Sequence, residues 1–269
     1  MSTIGFIGGG NMAEALIKGI VAAGIYAPEN VLVSDIRDDR LEFLADIYGI
    51  TAAESNSQVA TGAETVVMSV KPQMMIEVLE SVKDAIGSDR LVVSIAAGIT
   101  VANIAAVLGE VAIIRVMPNT PALIGQGASA LYANERAKPQ LEKALSVFSS
   151  VGKAVVVDEE NLIDAVTAVS GSGPAYFFLL MEEMIRAGVE LGLNEAVAKD
   201  LVLQTAKGAG LLAAEADKNG ESPAELRRKV TSPGGTTEAA IKVFNEGKMG
   251  ELVSAAITRA RDRGRELSK

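Results

Sequence analysis

The chain has 269 residues, of which 49% are hydrophobic and 22% charged, so it can form a sizeable core and global disorder is not expected. It contains neither cysteine nor histidine, which excludes disulfides, Cys/His zinc sites, thiolate nucleophiles and imidazole acid–base catalysis. The net charge of −9 and an aromatic content of only 4% argue against a nucleic-acid-binding protein.

Short runs rich in valine and isoleucine alternate with longer helical patterns through about the first 160 residues, as is typical of parallel β/α units. Strands are predicted at residues 3–7, 31–34, 65–70, 91–95 and 112–117, with additions to the sheet at 128–132 and 154–157. Helices are predicted at residues 11–23, 37–48, 73–86, 101–108 and 139–151. Glycines at 24, 49, 87 and 109 follow the first four helices, where a left-handed cap is favoured.

The pattern changes after Asp158, where strand-like runs stop and helical periodicity takes over. Helices are predicted at residues 160–169, 175–191, 195–217, 223–230, 237–245 and 251–267, and the sequence SGSGP at 170–174 interrupts the first two. The length also favours two domains, at about 150 residues each. We therefore predict an α/β domain with a doubly wound sheet over residues 1–158, followed by an all-α domain over residues 159–269.

An uncharged window at residues 91–109 is long enough to cross a membrane. Ser94, Gly98 and Asn103 lie within it, and we expect a strand, a turn and a helix there instead. Because the first basic residue is Lys18, no charged region precedes an apolar stretch, and a signal peptide is not expected. We expect a cytoplasmic protein whose partners include neither membranes nor nucleic acids.

A glycine-rich turn directly follows the first predicted strand. The sequence GGGNMA at residues 8–13 fits the pattern GxGxxA between a strand and a helix. Gly8 permits the tight turn, Gly10 lets a pyrophosphate approach the backbone, and Ala13 lets the helix pack against the strand. The turn therefore predicts a bound nicotinamide dinucleotide whose diphosphate lies at the helix N-terminus.

The end of the second predicted strand carries signals for both NADH and NADPH. Asp35 lies 27 positions after Gly8, where an acidic residue that accepts from the ribose hydroxyls favours NADH. Ser34 together with Arg37 would instead accommodate the 2′-phosphate of NADPH, although a solvated charge of the first helical turn explains Arg37 equally well. We predict NADPH or NADH as the cofactor and leave the choice open.

Segments that follow the next three strands face the same ligand crevice. Lys71 either contacts a cofactor phosphate or ribose, or is a surface residue at the rim. The small residues Ala96 and Ala97 allow a planar nicotinamide to approach the backbone closely. Asn119 lies in a proline-flanked loop at residues 117–121, which either presents hydrogen-bonding groups or is a plain turn.

Two loops of the helical half suit a small carboxylate. The sequence TSPGGTT at residues 231–237 offers backbone N–H groups and hydroxyls at a helix start. The sequence SGSGPAY at 170–176 restarts a helix, with Pro174 in its first turn. Either loop alone is explained as a helix–helix turn with a capping Ser or Thr, but the presence of both favours a substrate site.

Motifs ordered along nearly the whole chain are similar to those of the pyrroline-5-carboxylate reductase family. They are GFIGGGNMA (residues 5–13), SVKP (69–72), SIAAG (94–98), RVMPNTPALIGQG (115–127), LIDAVTAVSGSGPAY (162–176) and VTSPGGTTEAA (230–240). The last two are specific to that family. The resemblance implies a Rossmann domain, an all-α dimerisation domain that interleaves between subunits, active sites at the dimer interface and, in many members, a decamer. It also implies reduction of (S)-1-pyrroline-5-carboxylate to L-proline with NADPH or NADH, the last step of proline biosynthesis.

The crevice and the resemblance together give the candidate site residues. Cofactor-binding residues are predicted at Phe6, Ile7, Gly8, Gly9, Gly10, Asn11, Met12, Ser34, Asp35, Arg37, Asn56, Ser69, Val70, Lys71, Pro72, Ile95, Ala96, Ala97 and Asn119. Substrate-binding residues are predicted at Glu160, Ser232, Gly234, Gly235, Thr236 and Thr237, and no metal site is expected. Two positions depart from the family pattern: some NADPH-using members have Ser in place of Asp35, and relatives often have Asn in place of Lys229.

The chemistry implied by the resemblance is hydride addition to the C=N carbon, which is easier when the imine nitrogen is protonated. In a chain without histidine that proton comes from solvent or from a hydroxyl. Thr237 is therefore the predicted catalytic residue, which donates to the ring nitrogen or holds it. Glu160 either orients the ring or caps the helix that starts near Leu162. Tyr176 is predicted to pack below the Gly-Pro turn rather than to donate a proton.

Three alternative functions remain at this stage. A β-hydroxyacid or other imine reductase would share the two-domain plan, but such hydroxyacid enzymes place a catalytic Lys in the first interdomain helix, and residues 162–170 contain none. A methyltransferase would share the glycine-rich turn but would not explain the helical half. A non-catalytic nicotinamide-binding dimer would show affinity for the dinucleotide without turnover.

Overall fold

A computed structural model describes residues 2–267 of the chain. The chain forms two compact units. One contains residues 2–174 together with residues 259–267, and the other is Ala175–Thr258.

The first unit is built on an eight-stranded sheet. Its strands are β1 (Ile4–Ile7), β2 (Val31–Ser34), β3 (Thr51–Ala52), β4 (Thr65–Met68), β5 (Leu91–Ser94), β6 (Ala112–Met117), β7 (Gly127–Ala133) and β8 (Gly152–Val156). Their spatial order is β3-β2-β1-β4-β5-β6-β7-β8, and neighbours are parallel except for β6 and β7. The first six strands have the Rossmann order, with the switch point between β1 and β4. The predicted Rossmann sheet is therefore confirmed.

Helices cover both faces of this sheet. They are α1 (Asn11–Ala22), α2 (Asp38–Tyr48), α3 (Asn56–Gly62), α4 (Met75–Val82), α5 (Val101–Leu108), α6 (Leu141–Ser149) and α7 (Leu162–Val166). Successive residues of β1 enter opposite cores: Phe6 packs in one cluster with Leu16 of α1, and Ile7 in the other with Leu79 of α4. The strands are apolar on both faces because both faces are buried.

The second unit is helical, as predicted. Its elements are the main part of α8 (Gly173–Glu190), then α9 (Glu195–Asp217), α10 (Pro223–Lys229), α11 (Thr236–Glu246) and most of α12 (Met249–Leu267). Many large apolar side chains of this unit are exposed, among them Phe177 (66%), Leu211 (57%) and Val243 (68%). An apolar surface of this extent marks a site of protein association.

The structure corrects four details of the predicted elements. β3 and α3 were not predicted. α4 ends at Val82, before the predicted end at residue 86, so Gly87 does not cap it. Gly87 is not among the glycines with positive φ, whereas Gly24, Gly49 and Gly109 are. The SGSGP sequence does not stop the helix. A π-helical turn, Thr167–Gly171, connects α7 to α8, closed by the Ser172 N–H donating to the Thr167 carbonyl at 2.8 Å.

The predicted strand, turn and helix of the 91–109 window are confirmed by β5 and α5. A different stretch, Leu162–Glu190, is long and apolar enough to cross a membrane by length and composition alone. Only 17% of its apolar window is buried within the chain.

Candidate functional site

The carboxyl ends of four parallel strands lie in register. Ile7 pairs with Ser34 and with Met68, and Met68 pairs with Ser94. The segments that follow these strands therefore leave the sheet at the same edge, beside the switch point. This edge brings together most of the predicted cofactor residues, in the segments 8–12, 34–37, 69–72 and 95–97.

The glycine turn at this edge has a left-handed residue at Gly8 and open space at Gly10. Gly8 has φ +98°, and a Cβ there would lie 2.9 Å from the Ser69 carbonyl oxygen. The Gly8 N–H donates to the Ser34 carbonyl at 2.8 Å, and the Ser69 hydroxyl donates to the Gly8 carbonyl at 2.6 Å. Gly10 is the N-cap of α1, where no side chain caps the helix and a Cβ would meet only open space. The residues present thus fit a diphosphate at this helix N-terminus.

Asp35 is held in place by two backbone groups. Its Oδ2 accepts from the Gly9 N–H at 2.7 Å, and its Oδ1 accepts from the Arg37 N–H at 3.0 Å. The Arg37 guanidinium lies 3.6 Å from the same carboxylate, with its side chain 56% exposed. The Ser34 hydroxyl donates to Asn56 Oδ1 at 2.8 Å, so these two predicted cofactor-binding residues contact each other.

Arg40 contacts the glycine turn from α2, and sequence reasoning missed it. Its Nε donates to the Gly9 carbonyl at 2.6 Å, and its guanidinium pairs with Glu14. Tyr48 also donates to Glu14, at 2.9 Å. Burial raises the pKa of Glu14, but the hydrogen bonds from Arg40 and Tyr48 outweigh it, so this pKa lies below its ordinary value. Burial and the Glu14 carboxylate together raise the pKa of Tyr48.

The predicted cofactor residues Lys71, Ala96 and Ala97 lie at the same edge. Lys71 is exposed and precedes a short 3₁₀ turn, Pro72–Met74. Ala96 is buried, Ala97 is half-buried, and the Ala96 N–H reaches the Ser94 hydroxyl at 3.4 Å. Whether these residues contact a cofactor stays a prediction.

Asn119 connects three segments of the first unit. Its Nδ2 donates to the Ser170 carbonyl at 3.0 Å, and its Oδ1 accepts from the Ala128 N–H at 2.8 Å. Gly171 packs against Met117, whose methyl carbon would lie 2.5 Å from a Cβ at that position. The proline-flanked loop is thereby fixed to β7 and to the π turn. A role of Asn119 in cofactor binding stays a prediction.

Glu160 has two partners in the first unit. Its Oε1 accepts from the Val101 N–H at 2.8 Å and from Arg115 at 3.1 Å. Arg115, on β6, has a side chain only 3% exposed and also lies 3.5 Å from Asp164. Arg265 pairs with the other oxygen of Asp164 at 3.5 Å. Glu160 therefore caps α5, and the interpretation that it caps the helix starting at Leu162 is wrong. No sequence motif identifies Arg115 as its partner.

The Gly-Gly-Thr corner lies in the second unit. Gly235 is the N-cap of α11, and Gly234 has φ +73°. The Gly234 N–H donates to a carboxylate oxygen of Glu238 at 2.8 Å, and the Gly235 N–H donates to the Ser232 carbonyl at 3.0 Å. Thr236 is exposed and Thr237 is half-buried. The corner thus presents a backbone N–H to a carboxylate, here one of its own helix.

Known protein families match both halves of the chain. Residues 160–267 match the family described as pyrroline-5-carboxylate reductase dimerisation, and residues 3–98 match the family described as NADP oxidoreductase, coenzyme F420-dependent. The chain is 48% identical to the pyrroline-5-carboxylate reductase of Pseudomonas aeruginosa, covering 100% of this chain and 98% of that protein.

Two solved structures give the same result. A pyrroline-5-carboxylate reductase from Coxiella burnetii superposes with a TM-score of 0.94 at 42% identity, covering 100% of this chain and 99% of the other. The Plasmodium falciparum pyrroline carboxylate reductase with NADP bound has a TM-score of 0.86 at 29% identity, with coverages of 100% and 98%. The chain therefore belongs to the pyrroline-5-carboxylate reductase family.

Proposed function

We propose that the protein reduces (S)-1-pyrroline-5-carboxylate to L-proline with NADPH or NADH, the last step of proline biosynthesis. The observation that carries this function is the full-length identity of 48% to a relative of that name. The open, side-chain-free helix start at Gly10 supports it independently, because it leaves room for a diphosphate. A structure of a relative with NADP bound favours NADPH as at least one of the two cofactors.

The cofactor would be held by the segments at the edge of the sheet beside the switch point. The turn at residues 8–12 would receive the diphosphate, Asp35 and Asn56 would face the adenosine ribose, and residues 70–72 with Ala96 and Ala97 would face the nicotinamide. When bound, the reduced nicotinamide supplies the hydride. The protein supplies binding, orientation and exclusion of water.

The substrate carboxylate would bind at the Gly-Gly-Thr corner. The Gly234 N–H, which donates to Glu238 in the structure, would donate to the substrate carboxylate in its place, and α11 directs the positive end of its dipole to the same position. Thr236 and Thr237 follow at the first turn of α11, where a hydroxyl can hold or protonate the ring nitrogen. We propose Thr237 as the catalytic residue, with substrate already protonated in water contributing because a threonine hydroxyl is a weak acid.

The protein is proposed to work as a homo-oligomer. The exposed apolar residues of α8, α9 and α11 need a partner surface, and the family match over residues 160–267 is a dimerisation region. We propose an interleaved homodimer with active sites at its interface, and a decamer as its further assembly. The same pairing would cover the apolar stretch Leu162–Glu190 without a membrane. The domain boundary at residue 158 and the cytoplasmic location stay predictions.

The experiment that tests this function is an assay of the purified protein with pyrroline-5-carboxylate and each reduced nicotinamide in turn. Cofactor oxidation with equivalent formation of proline is the expected result. Thr237→Ala should lower turnover and leave dinucleotide affinity unchanged, with Thr237→Ser as the control that keeps the hydroxyl. A protein that binds the dinucleotide but oxidises none would be a non-catalytic binder. Wild-type kcat/KM in Thr237→Ala would remove the catalytic role of that residue.

A further inference from the structure

A cluster of three polar side chains lies against the glycine turn on the side of α2. Arg40 contacts the Gly9 carbonyl and Glu14, and Tyr48 contacts Glu14 from the end of the same helix. The Arg40 side chain is only 13% exposed, and its guanidinium lies 5.1 Å from the centre of the Phe43 ring. This is within the range of a cation–π contact, which further restricts the arginine. A pre-organised cation therefore holds one carbonyl of the turn.

The backbone of Gly9 is held at both of its polar groups. Its N–H donates to Asp35 and its carbonyl accepts from Arg40. In a planar trans peptide the Gly9 carbonyl and the Gly10 N–H point in opposite directions, and no cis peptide occurs in residues 2–267. The hydrogen bond to Arg40 therefore directs the Gly10 N–H away from the arginine, at the N-cap of α1.

This restraint matters because three consecutive glycines have little conformational preference of their own. The turn at residues 8–10 must take its conformation from its neighbours, and at Gly9 those neighbours are Asp35 and Arg40. An unrestrained turn would lose conformational entropy on binding a dinucleotide, and this loss would weaken the affinity.

We propose that Arg40 is a positioning residue for the dinucleotide, which holds the triglycine turn in the conformation that presents its N–H groups to a diphosphate. The inference rests on the proposed function. The contrasting interpretation is that Arg40 only ties α2 to α1 through Glu14, in which case its loss would change stability and nothing else.

The test compares Arg40→Gln, Arg40→Lys and the matched control Tyr48→Phe. Tyr48→Phe removes one hydrogen bond to Glu14 but leaves the bond between Arg40 and Gly9 in place. We expect Arg40→Gln to raise the Kd for NADPH and NADH about tenfold, in line with the loss of a charged hydrogen bond. Arg40→Lys keeps the charge but lacks the rigid planar fork of the guanidinium, so an intermediate loss is expected. Tyr48→Phe should lower Tm without changing either Kd.

The measurements are fluorescence titrations of reduced nicotinamide in the absence of substrate, followed by steady-state kinetics. The KM for the dinucleotide should rise in the Arg40 variants while kcat at saturation and the KM for the pyrroline stay unchanged. An unchanged Kd together with a lower Tm in Arg40→Gln would overturn the inference, as would an equal rise in both KM values. If Arg40→Gln does not fold, the Kd and Tm of Arg40→Lys test the inference by the same criteria. A wild-type protein that binds the dinucleotide but does not reduce the pyrroline would contradict the proposed function only.

Discussion

Asp35 occupies the position from which Rossmann proteins distinguish NADH from NADPH. Its carboxylate is fixed by the N–H groups of Gly9 and Arg37, so it cannot turn away from a 2′-phosphate without losing both bonds. We expect Asp35→Asn, which keeps an acceptor oxygen and removes the charge, to shift the ratio of kcat/KM for NADPH over NADH upward by about tenfold. An unchanged ratio would mean that the carboxylate does not face the ribose.

The pH dependence of stability has an identifiable contribution from Glu14. Its pKa lies below the ordinary value of 4.5 in the folded protein, so the stabilisation is present above that value and is lost as the pH falls through the folded-state pKa. Glu14→Gln should therefore lower Tm at neutral pH, and the difference from wild type should shrink below about pH 4. Thermal unfolding measured across this range checks the prediction. A difference that stays constant down to acid pH would contradict it.

Glu160 either stabilises the fold or binds the substrate, and one variant can distinguish the two roles. Because Arg115 is almost fully buried, loss of the Glu160 charge leaves it with Asp164 as its remaining carboxylate partner. We expect Glu160→Gln to lower the free energy of unfolding by about 1–3 kcal/mol. Steady-state kinetics at a temperature where the variant is folded separates the roles: a raised KM for the pyrroline supports substrate binding, and an unchanged KM supports a purely structural role.

At the scale of the element, Gly8 and Gly10 of the strand-to-helix turn have different roles, one in the fold and one in dinucleotide binding. Gly8→Ala places a methyl group against the Ser69 carbonyl in a left-handed conformation, so it should destabilise the fold by about 1–3 kcal/mol. Gly10→Ala has space for its methyl group and should keep a Tm near wild type, yet it should lose dinucleotide affinity because the methyl group occupies the diphosphate position. Equal Tm values for the two variants, or wild-type Kd in Gly10→Ala, would contradict this division.

The elements were predictable from the sequence to the extent that they are periodic and bounded by glycine or proline. The strands of the Rossmann core and α9 satisfy this, and their positions agree closely. β3 has only two residues and α3 only seven, too short for periodicity to indicate them. The π turn was not predicted because the sequence SGSGP is also typical of a break between two helices, and periodicity does not distinguish such a break from a π-helical turn.

The site was predictable where a backbone conformation requires glycine or where a strand ends at the ligand edge. It was not predictable where a side chain contacts a residue that is distant in the chain. Arg40 contacts a residue 31 positions away, and Arg115 contacts one 45 positions away. Both arginines look in the sequence like ordinary charges, and only the packing of the elements shows what they contact.

At the scale of the whole molecule, the exposed apolar face of the second unit predicts an obligate partner. Phe177→Glu would place an unpaired charge in the proposed interface, at a cost on the order of 3–5 kcal/mol. We expect this variant to dissociate in sedimentation experiments and to lose activity. Ile76→Glu is the control, because Ile76 is 45% exposed on α4 of the first unit. An Ile76→Glu variant that also dissociates would place the interface elsewhere.

The contact between Gly171 and Met117 links the evolution of two distant motifs. A side chain at Gly171 collides with the methionine methyl group, and Asn119 fixes the two segments together two residues further on. An alanine at Gly171 therefore requires the flexible Met117 side chain to move its methyl group away. Gly171→Ala should therefore lower Tm, and a shorter side chain in place of Met117 in the same variant should restore part of the loss.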